Sequence, residues 1–215
     1  MSKVINEPDL YNIINSKKLF WETTYDKQIP KITVKELIPN QAWALENCFT
    51  KKECNQFIEL GNKIGFNKLK DYHVSYRNNT RFMLSSSSLA NELYKRINYY
   101  IPETLYNNSW KKDGLNDFFR FCKYEKGRIF GIHQDSSYIQ NNNRRSWLTC
   151  MLYLNETNGG NTRFFKDNYD KKIICELPPK EGQILLFDPD IWHDGDKVLS
   201  GEKYIIRTEV MYLKL

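Results

Sequence analysis

The 215-residue sequence has only three histidines, five cysteines without a CxxC pair, and no run of 18 apolar residues. The lack of a long apolar run excludes a membrane-spanning helix. An odd cysteine count without a CxxC pair argues against a disulfide framework or a thiolate zinc site, and favours a reducing compartment. Because the N-terminus lacks the apolar core of a signal peptide, we expect a protein that is not secreted, cytoplasmic by default, with the nucleus left open.

The composition, 27% charged and 40% hydrophobic, is typical of a globular chain with a substantial core. We predict an N-terminal extension over residues 1–40 and a single domain over 41–215. The formal charge of +6 permits an affinity for nucleic acid or acidic substrates. A Lys- and Asn-rich composition explains the charge equally simply and is favoured, because no basic block with interleaved aromatic residues occurs.

Two helices are predicted in the first half of the chain. The Thr50–Glu53 segment has a capping-box pattern, and the apolar residues after it at helical spacing predict a helix over residues 50–64. A second helix is predicted to begin in the serine run 85–88 and to carry apolar residues on one face as far as Ile101. Pro102 then ends or interrupts it.

From about residue 117 the sequence changes to short runs with β character, separated by turn-prone stretches. The runs are FFRFCKY, RIFGIHQD, SWLTCMLYLN, TRFF, KIICEL, GQILLFD and KYIIRTEVMYL. Residues 159–160 and 180–182 have the composition of turns between strands. About seven strands preceded by helices favour an antiparallel sandwich or jelly roll with a helical buttress.

Two of the three histidines lie in a pattern that indicates a metal site. His133 and Asp135 are two residues apart, so on a strand their side chains leave the same face. His193 follows 60 residues later, after another predicted strand. Two imidazoles and one carboxylate on one face of a metal form the arrangement of non-haem Fe(II) oxygenases. His73 has no such neighbours and is interpreted as structural.

An oxo-acid co-substrate at such a metal carries a carboxylate that needs a buried cation. Lys203 and Arg207 are candidates, since residues four apart on one strand share a face. Taken singly, each of these residues is explained as well by an ordinary ion pair. The order and spacing of all five residues together favour the oxygenase interpretation.

Three stretches carry a resemblance to a known family: FFRFCKYEKGRIFGIHQD, TCMLYLNETNGGNTRFF and PPKEGQILLFDPDIWHDGDKVLSGEKYIIRTEV. The chain resembles the 2-oxoglutarate- and Fe(II)-dependent dioxygenases, and most closely their prolyl 4-hydroxylase-like branch. The likeness is close over about residues 117–213 and looser over the helix before them. It implies a mostly β fold with some helix, a cupin-like double-stranded β-helix or jelly roll with buttressing helices N-terminal to it.

The resemblance also implies that His133, Asp135 and His193 are the iron ligands and catalytic residues. It implies Fe(II) as cofactor, 2-oxoglutarate and dioxygen as co-substrates, and ascorbate as an optional reductant. The reaction would decarboxylate 2-oxoglutarate to succinate and insert one oxygen atom into a C–H bond of the substrate. The protein holds the metal, orients the co-substrate and excludes water.

The family places the cation for the distal carboxylate of 2-oxoglutarate at either of two positions. One position corresponds to Lys203, ten residues after the second histidine, and the other to Arg207. A guanidinium binds a carboxylate through two parallel hydrogen bonds, which favours Arg207 narrowly. Tyr124 and Tyr153 lie where relatives have tyrosines near the co-substrate, although core packing explains both equally well.

Two features depart from the family pattern, and both are predicted to lie near the substrate. Asn161 follows the Gly-Gly turn where many relatives have Glu. The polar segment 136–145 follows Asp135 directly, and we predict that it is a mobile lid whose Arg144 and Arg145 contact an acidic feature of the substrate. A solvated hairpin loop is the alternative.

The expected activity is hydroxylation of a peptidyl or small-molecule substrate, with a protein side chain such as proline favoured by analogy. Oxidative demethylation of a nucleic acid is a second hypothesis, which the basic charge permits without favouring it. A non-enzymatic cupin-like binding protein is a third, although all three expected metal ligands are present. No oligomeric state is predicted.

Overall fold

The structure is a computed structural model that describes residues 2–23 and 31–215. Its helices are α1 (Glu7–Ile14), α2 (Phe20–Thr23), α3 (Lys51–Ile64) and α4 (Ser87–Ile97), and a 3-10 turn covers Asn98–Tyr100. Within the described ranges, no helix is long and apolar enough to cross a membrane.

Eighteen strands are found in the described residues. They are β1 (Lys3–Asn6), β2 (Thr33–Ile38), β3 (Ala42–Glu46), β4 (Asn67–Lys68), β5 (Thr80–Ser85), β6 (Thr104–Leu105), β7 (Trp110–Leu115), β8 (Phe118–Glu125), β9 (Phe130–His133), β10 (Ile139–Asn141), β11 (Arg144–Tyr153), β12 (Asn158–Gly159), β13 (Thr162–Phe165), β14 (Ile173–Leu177), β15 (Ile184–Phe187), β16 (His193–Gly195), β17 (Val198–Ser200) and β18 (Glu202–Lys214).

The strands form a large sheet and a smaller sheet packed against it. The large sheet has the order β1-β5-β8-β18-β11-β15-β3-β2, and the smaller one has the order β14-β13-β16-β9. Side chains from both sheets, including Phe164 of β13 and Phe187 of β15, pack in one buried cluster between them. The predicted jelly roll is confirmed, because two mainly antiparallel sheets enclose a common core.

The other face of the large sheet packs against the helices. Because side chains alternate along a strand, Phe82 of β5 and Phe121 of β8 point to this face, where they contact helix residues such as Phe57. The outer cluster is almost entirely apolar. The helices therefore cover one face of the sheet and leave the other to the site, as the predicted buttress requires.

Helix α3 begins as its sequence predicts. The Thr50 hydroxyl accepts a hydrogen bond from the Glu53 backbone N–H, and the Glu53 carboxylate accepts one from the Thr50 N–H at 2.8 Å. Glu53 also accepts a hydrogen bond from Arg96 of α4 at 2.6 Å in a buried ion pair. The capping box thus also ties the two buttressing helices together.

Helix α4 is shorter than the sequence predicts. It begins after Ser86, whose hydroxyl accepts from the Leu89 N–H, but it ends at Ile97 rather than near Ile101. Ile101 has extended backbone angles (φ −83°, ψ 133°). The cause is Pro102, because a proline disfavours helical angles at the residue before it.

The described part of the predicted N-terminal extension packs onto the domain. Strand β1 pairs in parallel with β5, and β2 pairs with β3 at the other end of the large sheet. Leu10, Leu19 and Trp21 are buried in the outer cluster. Residues 1 and 24–30 of the extension lie outside the described residues, and the domain boundary at residue 40 stays a prediction.

Candidate metal centre

The two histidines of the predicted metal site face each other on neighbouring strands of the smaller sheet. His133 of β9 is the direct register partner of His193 of β16. Asp135 lies just beyond β9, where its backbone N–H donates to the Pro189 carbonyl at 2.9 Å. The chain therefore turns after His133, and the Asp135 carboxylate still lies beside the two imidazole rings. One potential ligand atom from each of the three side chains lies within 4.8 Å of the other two.

Hydrogen bonds fix the direction in which both imidazole rings point. Nδ1 of His133 lies 2.8 Å from the Gly131 carbonyl oxygen, and Nδ1 of His193 lies 2.8 Å from that of Ile191. Because a carbonyl only accepts, Nδ1 carries the hydrogen in each ring and Nε2 keeps its lone pair. The Nε2 atoms lie 3.5 and 3.7 Å from the Asp135 carboxylate oxygens, and buried Nε2 of His133 has no hydrogen-bond partner within the part of the chain that the structure describes. These are the donor atoms that a divalent metal requires.

The protonation states also suit a metal. Burial lowers the pKa of His193 to about 4, so its imidazole is neutral near pH 7. Burial by itself raises the pKa of Asp135, but the Arg207 guanidinium and the two adjacent histidines together outweigh it and hold this pKa well below the usual range. Arg207 and Thr149 each donate to one carboxylate oxygen of Asp135. The site therefore presents two imidazole rings, of which that of His193 is neutral, and one oriented carboxylate, which fits Fe(II).

Lys203 lines the same pocket as His133, Asp135 and His193, and it is 3% exposed. Its ammonium group donates to the Gly160 carbonyl and lies 5.7 Å from the ring centroid of Tyr124 and 5.3 Å from that of Tyr153. It forms no ion pair with any carboxylate of the described residues. Burial lowers its pKa to about 8. Lys203 is therefore a buried cation without a counter-ion.

Arg207 has a different environment from Lys203. It donates to Asp135, and its other terminal nitrogen lies 3.8 Å from the Glu209 carboxylate. Glu209 is itself buried and accepts hydrogen bonds from Arg120 and from Asn116 at 2.7 Å. Arg207 is thus already engaged by two carboxylates, one of which belongs to the candidate metal site.

The comparison with known families agrees with this geometry. Residues 119–208 match the profile of the 2OG-Fe(II) oxygenase superfamily. The matched segment contains His133, Asp135 and His193 as well as both candidate cations. Residues 119–208 of the chain therefore form a 2OG-Fe(II) oxygenase domain. The chain is an enzyme of the 2-oxoglutarate-dependent dioxygenase class, with Fe(II) as cofactor and 2-oxoglutarate and dioxygen as co-substrates.

Solved structures with the same fold as this oxygenase include three prolyl hydroxylases. One is a viral collagen prolyl hydroxylase from Paramecium Bursaria Chlorella virus-1, with 17% identity and a TM-score of 0.55 over 81% of this chain and 97% of that one. The second is a prolyl-4-hydroxylase from Pseudomonas putida, with 14% identity and a TM-score of 0.56 over 80% of this chain and 92% of that one. The third is a prolyl hydroxylase from Trichoplax adhaerens in complex with a hypoxia inducible factor oxygen degradation domain peptide fragment, with 16% identity and a TM-score of 0.58 over 82% of this chain and 84% of that one. At these identities the likeness shows a shared fold. A search of curated sequences found no significant match.

The two tyrosines predicted near the co-substrate of the oxygenase have different positions. Tyr124 is buried and lines the pocket. Tyr153 lies behind the pocket wall, where its hydroxyl is 2.7 Å from the Thr162 hydroxyl. Thr162 itself lines the pocket. Asn161 lies outside the lining residues and donates to Glu176 at 2.5 Å.

The two arginines predicted to contact substrate also lie outside the pocket lining. The segment 136–145 forms a hairpin in which β10 pairs with the start of β11. Arg144 forms an ion pair with Asp113 at 2.5 Å, and the Arg145 guanidinium lies 4.0 Å from the Trp147 ring centroid. The structure does not bring these side chains to the metal centre, and the lid stays a prediction.

Several residues of the site were not identified from the sequence. Glu209 is two residues after Arg207, so the period of a strand places both on one face, and this signal was available. Thr149 and Arg120 carry no pattern of their own, because their roles depend on strands that pair across long sequence separations. Arg77 lies in the loop before β5, where no periodicity applies.

Proposed function

We propose that the oxygenase hydroxylates a C–H bond of a peptidyl substrate, with proline as the favoured residue, and that His133, Asp135 and His193 hold the Fe(II). The observation that carries the assignment of the ligands is the convergence of two imidazole Nε2 lone pairs on one buried carboxylate. When bound, Fe(II) supplies the activation of dioxygen that couples decarboxylation of 2-oxoglutarate to oxidation of the substrate.

Lys203 is the proposed partner of the distal carboxylate of 2-oxoglutarate. It is buried and positively charged below about pH 8, and among the described residues its ammonium group donates to a backbone carbonyl and forms no ion pair. A carboxylate would supply the missing counter-charge, which makes the buried ammonium group less costly. Arg207 instead orients Asp135, because its guanidinium already donates to that carboxylate. This division of roles replaces the narrow preference for Arg207 that hydrogen-bond chemistry alone gives.

Apolar side chains exclude water from the space between these groups. Met151, Phe187 and Ile205 line the pocket beside Tyr124, and all four are buried. A dry pocket strengthens the interaction between Lys203 and a carboxylate, because charges interact more strongly at low dielectric. It also protects a reactive centre from side reactions with water.

Three prolyl hydroxylases of the same fold, one of them in complex with a peptide fragment, support a peptidyl substrate. The mouth of the pocket is consistent with such a substrate. Phe130 stacks on His133 with 3.6 Å between ring centroids, and Tyr76 packs edge-on against Phe130 at 5.9 Å. Aromatic faces at this position provide an apolar surface on which a pyrrolidine ring packs.

The test combines Fe(II), 2-oxoglutarate and a set of proline-containing peptides with the purified chain. We expect succinate to form in proportion to a peptide product that has gained one oxygen atom, located on proline by fragmentation mass spectrometry. Asp135→Asn is the matched control, because it keeps the shape of the ligand and removes its charge. Succinate formation that depends on the metal but is not coupled to any peptide would contradict the peptidyl substrate, and equal activity in the Asp135 variant would contradict the metal site.

A further inference from the structure

A second pocket adjoins the candidate metal centre on its open side. It shares His133, Asp135, Phe130 and three arginines with the co-substrate pocket. Its remaining wall is formed by Arg81, two tyrosines and three further side chains, Met83, Gln134 and Ser136. The arginines are Arg77, Arg81, Arg120 and Arg207. No role in binding 2-oxoglutarate or Fe(II) accounts for all four guanidinium groups.

Strand register explains why the arginines converge. Arg81 of β5 faces Cys122 of β8, while Arg120 of β8 is the direct partner of Arg207 on β18. All three therefore point to the inner face of the large sheet from three adjacent strands. Like charges directly opposite each other destabilise a sheet. Their placement therefore calls for a source of compensating negative charge.

The described acidic groups compensate only two of the four arginines. Glu209 pairs with Arg120, and Asp135 with Arg207. Arg77 donates through Nε to the Asn79 side-chain oxygen at 3.0 Å. Arg81 donates through Nε to the Ser2 hydroxyl at 2.8 Å. Within residues 2–23 and 31–215, neither of these two has a carboxylate partner, and their terminal nitrogens stay available to a ligand.

Burial makes this unpaired charge costly. Arg77 is only 7% exposed. Burial, followed by the nearby Arg77 guanidinium, lowers the pKa of Arg81. A guanidinium held in a partly buried site without a counter-ion is destabilising unless a ligand supplies the negative charge.

The aromatic contacts place this positive charge beside the metal ligands. The Arg77 guanidinium carbon lies 3.9 Å from the Phe130 ring centroid and 5.0 Å from that of Tyr72. The same Phe130 ring stacks on His133. A group bound by Arg77 is therefore separated from the imidazole of a metal ligand by little more than one aromatic ring. If the group bound by Arg77 is part of the substrate, it lies close to the C–H bond that reacts at the metal.

We infer that Arg77 and Arg81 bind a carboxylate of the substrate, so that the oxygenase selects a C–H bond close to a negative charge. The inference rests on the proposed function and narrows its substrate class. A guanidinium matches a carboxylate with two parallel hydrogen bonds. The carboxylate comes either from an Asp or Glu beside the target proline or from a free amino acid. A phosphate of a nucleic acid fits less well, because backbone phosphates are typically bound by exposed basic side chains and Arg77 is buried.

The experiment uses matched acid and amide probes with the Fe(II)-loaded enzyme and 2-oxoglutarate. One pair is a proline peptide with Asp or Glu beside the proline and the same peptide with Asn or Gln. The other pair is free L-proline and L-prolinamide. Binding is measured anaerobically by calorimetry, and substrate-dependent succinate formation is measured in air. We expect at least tenfold tighter binding of the acid member in one pair, and the pair that responds identifies the source of the carboxylate.

The variant that tests the residues is Arg77→Gln combined with Arg81→Gln. It should remove the acid preference while leaving Fe(II) and 2-oxoglutarate affinity unchanged, and Arg77→Lys with Arg81→Lys should restore part of the preference. Arg128→Gln, which removes the same charge from an exposed ion pair with Glu125, should keep the full preference.

Equal binding of acid and amide probes, or no binding of either, would overturn the inference. So would an acid preference that persists in the double variant, or stronger binding of a single-stranded oligonucleotide than of all four probes. Failure of the unmodified chain to bind Fe(II) or 2-oxoglutarate would instead contradict the proposed function. The failure of the inference and the failure of the proposed function are therefore distinguishable.

Discussion

The two faces of strands β5, β8 and β18 differ in chemistry, because alternate residues of each strand point to opposite sides of the sheet. On the outer face, Phe82, Phe121 and Ile206 are register partners, and the two aromatic rings stack at 4.7 Å. On the inner face, Arg120 is the partner of Arg207. The outer side of these strands is packed as a hydrophobic core, and the inner side carries charged groups among apolar side chains such as Ile205.

This difference separates stability from function along a single backbone. Burial of large apolar side chains stabilises the fold by about 1.5–3 kcal/mol each. Buried charges contribute little to stability or reduce it, because desolvation offsets their attraction. We therefore expect substitutions on the inner face to alter ligand binding with little loss of stability. Substitutions on the outer face should reduce stability with little change in ligand binding.

The largest effect is expected from the metal ligands. Replacing His133 and His193 by Ala removes both imidazole Nε2 donors, so we expect Fe(II) binding to be lost completely. Anaerobic titration of Fe(II), followed by metal analysis of the separated protein, measures this. Circular dichroism should show an unchanged fold, because His133 and His193 lie on the smaller sheet beside the pocket and not in the outer apolar cluster. Normal Fe(II) binding by the double variant would show that the ligands lie elsewhere.

The second prediction distinguishes the role of Lys203 in binding 2-oxoglutarate from the role of Arg207 in orienting Asp135. Lys203→Met leaves a co-substrate carboxylate without its partner, which costs about 3–5 kcal/mol, or about two to three and a half decades in affinity. Calorimetry should show this loss for 2-oxoglutarate, with Fe(II) affinity nearly unchanged and the melting temperature equal or higher. Arg207→Gln should instead weaken Fe(II) binding, because it releases Asp135. A greater loss of 2-oxoglutarate affinity in the Arg207 variant would reverse the assignment.

The third prediction concerns the outer face. Phe121 is 1% exposed and packs against Phe82 and Phe57. Phe121→Ala should reduce the free energy of unfolding by about 3–5 kcal/mol, because it removes apolar contact and leaves a cavity. Urea denaturation measures the loss, and Phe121→Leu should lose less. The folded fraction should retain its Fe(II) affinity. A change in Fe(II) affinity as large as the change in stability would show that the two faces are coupled.

The smallest effect is expected from pH. Burial lowers the pKa of Lys203 to about 8 from an ordinary value near 10.5. The charged form binds a carboxylate, and this form is lost as the pH rises through the pKa. We therefore expect the dissociation constant of 2-oxoglutarate to be constant below about pH 7 and to rise about tenfold per pH unit above pH 8. Lys203→Arg should remove this dependence, because a guanidinium stays protonated.

Local patterns predicted the parts of the molecule that depend on local geometry. The Thr50–Glu53 capping box predicted the start of α3, and the spacing of His133 and Asp135 predicted their convergence. Strand alternation also placed Lys203 and Arg207 on one face correctly. In each case the relevant residues are close in sequence. Strand periodicity fixes the relative direction of Lys203 and Arg207, whereas Asp135 lies beyond the end of β9 and converges with His133 because the chain turns there.

Features that depend on distant pairing were not predictable in the same way. The sequence could not show which of the two cations has a counter-ion, because Arg207 is paired with Asp135, 72 residues away. Arg77 approaches the site from a loop, where alternation gives no direction. The short strands β1 and β2 were missed because their burial depends on β5 and β3.

The pairing of β9 with β16 has a consequence for local opening of the chain. Strand β9 has four residues and lies at the end of the smaller sheet, bonded to β16 on one side. On its other side it is joined by an isolated bridge from Phe130 to Arg77. Such edges open at a low free energy compared with global unfolding. A metal held by both His133 and His193 links the two strands, so opening of β9 requires release of the metal. Backbone amide hydrogen exchange in β9 should therefore slow in proportion to free metal concentration, as mass action requires.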